Sequence, residues 1–320
     1  MSRPSRLVGL RLAGAAAACM LVLVACGTGR TGSHDDRRPP AHPPVTTTTG
    51  DWRGVAEALG RTGTLSDGSV YRVPLPRTDL EVTSHGVGIE PALALGGSAN
   101  FAQYHDGTML MGDLIVTERE LPRVTDALQK AGIAQTALHK HLLAQHPDVW
   151  WTHLHAMGRP VALARGVKAV LAATGTPPAP RTPATPRPLP LDTDRIDHAL
   201  GAEGITAGGV HRFVFGRSGP VTDGRHLLPH TLGLSTAIAF QPLGHGRAAV
   251  NGDFVLTADE TQPVIRALRR GRIDLVELHN HSQDEHPRLF FLHFWSTGDG
   301  VTLARALRPA LEASAVTPAG

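Results

Sequence analysis

Cysteine is scarce in this chain: there are two in 320 residues, Cys19 and Cys26. Two cysteines so placed exclude a disulfide framework and a thiolate-rich zinc site. Aromatic residues make up only 4% of the sequence, so a core must rest on Leu, Val, Ile and Ala. No run of Lys and Arg is interleaved with aromatics, and the net charge is only +3. Arg3, Arg6 and Arg11 account for that excess, so nucleic-acid binding is not expected. Gly-x-Ser-x-Gly and Walker motifs are missing, and no Rossmann fingerprint set between a strand and a helix is present, which removes the common signatures of serine hydrolases and nucleotide-binding enzymes. The one long apolar run, residues 12–25, is shorter than the roughly 20 residues a membrane-spanning helix needs.

That run nevertheless has a clear reading. Three arginines precede it, and Leu23-Val24-Ala25-Cys26-Gly27 follows at its end. A basic start, a short apolar stretch and a small-residue cleavage site make a secretory signal. The closing string resembles a bacterial lipobox. The resemblance implies cleavage before Cys26, acylation of its sulfur, and a mature chain held by lipid to the outer face of the cell membrane. An acylated Cys26 also leaves no thiol for nucleophilic chemistry. Residues 1–25 are thus expected to be signal peptide, and 26–50, rich in Gly, Thr, Pro, Arg and His, a disordered tether.

Histidine and proline are abundant, with 18 and 25 residues. Many of the prolines fall in Thr176–Pro190, which excludes helix and sheet and marks a linker over 176–192. On either side of it the sequence repeats itself. At an offset of 140 residues His105 meets His245, and Gly112-Asp113 meets Gly252-Asp253. His139 and His141 meet His279 and His281, His146-Pro147 meets His286-Pro287, and His153 meets His293. Roughly a third of positions agree without a gap between 105 and 171. The period is too long for a solenoid, so this is a duplicated domain, with copies at 51–175 and 193–316.

Each copy has one pattern. Strand-like runs at 97–103 and 109–116 flank a polar turn. Thr117-x-x-Glu120 and Thr257-x-x-Glu260 are capping boxes that open a helix with an apolar stripe. Two more strands follow, near 137–141 and 149–155 in the first copy, and then a last helix near 161–171. Further strands are expected near 71–73 and 80–83. The order strand-strand-helix-strand-strand-helix predicts an α+β fold: two tandem homologous domains, each an antiparallel sheet with helices on one face. Duplicated sheet domains commonly pack on each other, so an intramolecular pseudo-dimer is expected.

Residues two apart on a strand share a face, so His279 and His281 project together. If the following strand forms a hairpin with theirs, His293 lies across from them. Glu285 in the connecting loop would sit close by. Three imidazoles and a carboxylate are the donor set of Zn²⁺ or another divalent metal. Asp253 could orient a ligand ring as an acceptor, and Asn280 could support the same shell. The equivalents in the first copy are His139, His141, His153 and Asp113. Histidines that serve only packing would produce the same pattern, so chemistry and structure both remain open at this point.

The stretch from Ala267 through Glu277-Leu278-His279-Asn280-His281 and Glu285-His286-Pro287-Arg288 to His293-Phe294-Trp295 resembles the LppY/LpqO family of actinobacterial lipoproteins. The resemblance spans roughly residues 51–315 and brings no assigned reaction. It departs from the family at His286, where the pattern has Ser. In the first copy Lys140, Gln145 and Asp148 replace Asn, Glu and Arg. These losses point to the second copy as the working site and to the first as a stabilising partner. Three functions follow: a lipid-anchored protein binding a metal or small ligand; a zinc-dependent hydrolase with Glu285 as base; or a structural cell-envelope interaction module.

Overall fold

The computed structural model describes residues 40–179 and 188–319. The segment expected to be a signal peptide, Cys26 and the centre of the Pro-rich linker lie outside these residues. The first repeat contains α1 (Arg53–Leu59), β1 (Val70–Pro76), β2 (Gly96–Tyr104), β3 (Gly107–Thr117), α2 (Leu121–Ala131), β4 (Ala134–His139), β5 (Val149–Gly158) and α3 (Pro160–Leu171). The second contains α4 (Thr193–Leu200), β6 (Val210–Arg217), β7 (Thr236–Gly244), β8 (Arg247–Leu256), α5 (Ala258–Arg270), β9 (Asp274–His279), β10 (Phe290–Asp299) and α6 (Gly300–Glu312). Both sheets are antiparallel with matching order, β1-β2-β3-β5-β4 and β6-β7-β8-β10-β9, and each gains a short strand before its first. The expected α+β architecture is therefore what the chain adopts.

Strand alternation assigns the two faces of each sheet. In β3, Leu110, Leu114 and Val116 pack with Val124, Leu128 and Leu163 of the helices. Met109, Met111 and Ile115 point the other way and join clusters that include residues of the second repeat. One such cluster combines Ile115 and Trp151 with Ala239, Ala249 and Trp295; the other combines Met109 and Met111 with Val255 and Phe291. The sheets thus lie face to face, with helices outside, as four layers. Because both faces of each sheet are buried, a central strand such as β3 is buried along nearly its whole length instead of alternating.

Cross-repeat hydrogen bonds fix this packing. Gln241 donates to Gly88 O (2.7 Å) and accepts from Glu90 N–H (2.8 Å). Asn251 Nδ2 donates to His141 O at 2.8 Å, and Tyr104 Oη to Leu227 O at 2.8 Å. His155 Nε2 lies 2.7 Å from Asp223 Oδ2.

Three expectations need correction. The end of the expected tether is ordered: His42, Val45 and Thr47 donate backbone hydrogen bonds to Arg225, Gln103 and Gly68. Proline and threonine there are compatible with an extended segment lying along both repeats. The strand expected near 80–83 is only Thr83–Ser84, part of a three-stranded ribbon with Val87–Gly88 and Gln145–His146. Finally, α1 and α4, which open the repeats, were not anticipated; each is shorter than three turns and carries only two buried apolar residues.

The Gly-Asp pair shared by both repeats has a steric cause. A Cβ on Gly112 would lie 2.6 Å from the Ser98 carbonyl oxygen, and one on Gly252 would strike the Ala237 carbonyl oxygen and the Phe294 ring. Backbone cannot yield there without opening the sheet. Gly252→Ala is expected to destabilise the protein by about 3 kcal/mol, the upper range for overpacking, in chemical denaturation. A loss within about 0.5 kcal/mol, the usual range at a neutral surface site, would contradict this steric account.

Candidate metal centre between the repeats

The hairpin expected for the histidines forms in both repeats. β4 pairs with β5, setting His139 opposite Trp151 and Ala137 opposite His153. β9 pairs with β10, setting His279 opposite Phe291 and Glu277 opposite His293. His141 and His281 lie just past the ends of their strands. All six side chains occupy the inner faces, so the two hairpins bring them into one cluster rather than two.

Within it, His139, His279, His281 and His293 each offer a ring nitrogen, and these four atoms lie within 4.8 Å of one another. Three of the four ligands expected on the second repeat are therefore gathered. The fourth is His139 of the first repeat, not Glu285. Glu285 is buried, but its Oε1 accepts from Leu289 N–H at 3.2 Å, and its backbone pairs with Asp223. It is not among the four converging groups, and its Oε2 is buried without a hydrogen-bond partner. Gln145, its counterpart, closes the equivalent loop by donating to Val149 O. Asn280 likewise serves the loop, donating to Leu289 O, and orients no ring. The idea that the second repeat alone holds the site is corrected with it, since the cluster draws on both copies.

The electrostatics favour neutral rings with free lone pairs. Burial, reinforced by mutual repulsion, depresses His139, His141, His281 and His293 far below the ordinary imidazole range. Burial lowers His279 to about 4 and His153, with help from His279, to about 3. Metal ligation requires neutral imidazole. Both nitrogens of His279 and of His281, Nδ1 of His139 and Nε2 of His293 are buried without a hydrogen-bond partner. Such unmatched groups ordinarily cost about 1–3 kcal/mol each, so a guest that accepts their lone pairs offsets a large penalty.

Asp113 and Asp253 flank the cluster. Each is the cross-strand partner of the third cluster histidine of its repeat, His153 and His293. Asp113 Oδ1 lies 3.7 Å from His153 Nε2, beyond a hydrogen bond, and Asp113 keeps 21% of its side chain accessible. Burial raises Asp253 to about 7, against the pull of Arg212 and of backbone N–H groups. Burial and then Asp253 raise Asp113 well above the usual carboxylate range. Apolar rings close the ends of the cluster: Trp151 stacks on His141 with centroids 4.4 Å apart, and Phe291 on His281 at 3.3 Å.

No curated protein matches the chain. Among solved structures it is similar to a fused permuted hexameric shell protein from the RMM microcompartment, at 14% identity over 66% of this chain and 86% of that one, with a TM-score of 0.20. It is also similar to the trimeric bacterial microcompartment shell protein PduB, at 11% identity over 79% and 90%, with a TM-score of 0.21. Likenesses this weak carry nothing over to the present chain. A family model matches it twice, at residues 53–173 and 194–313, over the two repeats seen in the fold. The chain therefore belongs to the family described as a domain of unknown function, DUF1259, and contains two copies of that domain.

Proposed function

We propose that this protein is a lipid-anchored lipoprotein of the LppY/LpqO kind that binds one divalent transition-metal ion between its repeats, without catalysing a reaction. The carrying observation is the set of four buried imidazole nitrogens within 4.8 Å of one another. The donor set is all nitrogen, which suits a borderline divalent ion better than calcium or magnesium. A role in packing alone leaves the unpaired ring nitrogens unexplained. The hydrolase alternative is the less supported reading, because Glu285 is not among the four converging groups and its Oε1 accepts from the Leu289 N–H within its own loop. Anchoring rests on the lipobox ending at Cys26 and on the secretory signal before it. Among the described residues no helix is long and apolar enough to cross a membrane.

Calorimetric titration of the metal-free chain with Zn²⁺, Mn²⁺, Fe²⁺, Co²⁺ and Ni²⁺ tests the binding. At least one ion is expected to bind tightly and to raise Tm. At a hundredfold excess over Kd the stabilisation is about 2.7 kcal/mol. Neither heat nor a Tm shift with any of the five would refute the proposal.

A further inference from the structure

The six histidines of the cluster form three stacked pairs, each with one ring from either repeat. His139 stacks on His279 with centroids 3.7 Å apart, His141 on His293 at 3.8 Å, and His153 on His281 at 3.4 Å. Their interplanar angles are 23°, 24° and 26°. The repeat offset of 140 exchanges His139 with His279, His141 with His281 and His153 with His293. It therefore returns the first pair to itself and converts the second into the third. A pseudo-twofold axis passes through the central pair, and the flanking pairs are its images. The apolar clusters on either side obey the same exchange: Ile115 and Trp151 of one correspond to Val255 and Phe291 of the other.

Symmetry then constrains the ligand set. The four converging residues are His139, His279, His281 and His293. Under the exchange, His281 and His293 become His141 and His153. His141 and His153 lie outside the set within 4.8 Å, but the exchange makes them the images of two residues inside it. The distances agree: His139 is 4.9 Å from His141 and 5.4 Å from His153, centroid to centroid, and His279 is 5.0 Å from His281 and 5.1 Å from His293. His141 also brings its Nε2 to 2.9 Å from Nε2 of His139.

We propose that His141 and His153 complete a six-imidazole shell around a single ion, so that the site takes a divalent metal preferring six ligands, Mn²⁺, Fe²⁺, Co²⁺ or Ni²⁺, over tetrahedral Zn²⁺. The inference rests on the metal-binding reading and specifies its geometry. Structural zinc sites close with four ligands, whereas six neutral nitrogens in one cavity match an octahedral ion. Asp113 and Asp253, one from each repeat, lie beside His153 and His293 and face the resulting charge. No cysteine thiolate is available to draw a softer ion, since both cysteines precede the repeats.

The test uses the metal-free full chain loaded with Co²⁺, whose visible absorption is weak when six-coordinate and intense when tetrahedral. One Co²⁺ per chain with weak absorption is expected. His141→Ala and His153→Ala should each weaken Co²⁺ binding by about tenfold or more, and His281→Ala and His293→Ala should do the same. Intense tetrahedral bands, two ions per chain, or unchanged affinity in the His141 and His153 variants would overturn the six-ligand shell while leaving metal binding standing. Failure to bind Co²⁺ or any of the other ions would overturn both. The wild-type spectrum decides the geometry even if a variant fails to fold.

Discussion

His139→Ala is expected to abolish metal retention as fully as His279→Ala, although the two residues lie in different repeats. Their rings stack on the pseudo-twofold axis, 3.7 Å apart, and both belong to the converging set. Removing either takes away a ligand that the rest of the cluster cannot replace. A first-coordination loss should exceed the about 10- to 100-fold cost usual for outer residues. The measurement is metal content after dialysis against a competing chelator, with circular dichroism confirming the fold. Glu285→Gln is the control and should retain its metal, because its carboxylate lies in its own loop. Full retention by the His139 variant beside loss in the His279 variant would return the site to the second repeat alone.

Arg77→Ala is expected to cost about 3–5 kcal/mol in denaturant unfolding, the range for breaking a buried ion pair. The Arg77 side chain is 1% exposed, lies 2.8 Å from both Asp79 and Glu120, and donates to Ile115 O. Glu120 also accepts from Thr117 N–H and Gly175 N–H, tying the start of α2 to the chain beyond α3. The second repeat reproduces the arrangement at the same offset except for Asp79, where Gly219 stands: Arg217 donates to Glu260 and Val255 O, and Glu260 accepts from Thr257 and Ala315 N–H. A loss below about 1 kcal/mol would reduce the Arg77 pair to the rank of a surface contact.

The same ion pair in the second repeat sets a pH dependence. Burial alone would raise Glu260, but the Arg217 hydrogen bond and two backbone N–H groups outweigh it and hold it at about 2, against an ordinary 4.5. A carboxyl depressed in the folded state adds stability that is complete above its unfolded value. That stability is lost as pH falls from 4.5 toward 2. Glu260→Gln should therefore flatten the fall of Tm across that window, and an unchanged slope would exclude this pair as a contributor.

Much of this was legible in the residues. The offset repetition exposed the two domains. Thr117-x-x-Glu120 and Thr257-x-x-Glu260 marked helix starts, and both capping boxes form. The His-x-His spacing and the hairpin that follows gave the correct face for His279, His281 and His293. What could not be read was the identity of the opposing surface. Strand alternation tells which side chains share a face, but not which sheet covers it, so His139 was assigned to a lesser copy instead of to the same cavity. Glu285 was misplaced because its direction depends on pairing with Asp223, more than sixty residues earlier in the chain. Local pattern contains no trace of such a contact. The Arg77–Glu120 and Arg217–Glu260 pairs were visible in principle, since both members repeat at the offset, but scattered charges carry no spacing rule.

Anomalous diffraction from crystals of the metal-loaded protein, collected at the absorption edge of the bound ion, addresses the shared site most directly. One peak between the two sheets, within bonding distance of rings from both repeats, is the expected result. A peak ligated by only one repeat, or none among these histidines in protein that retains metal, would contradict it.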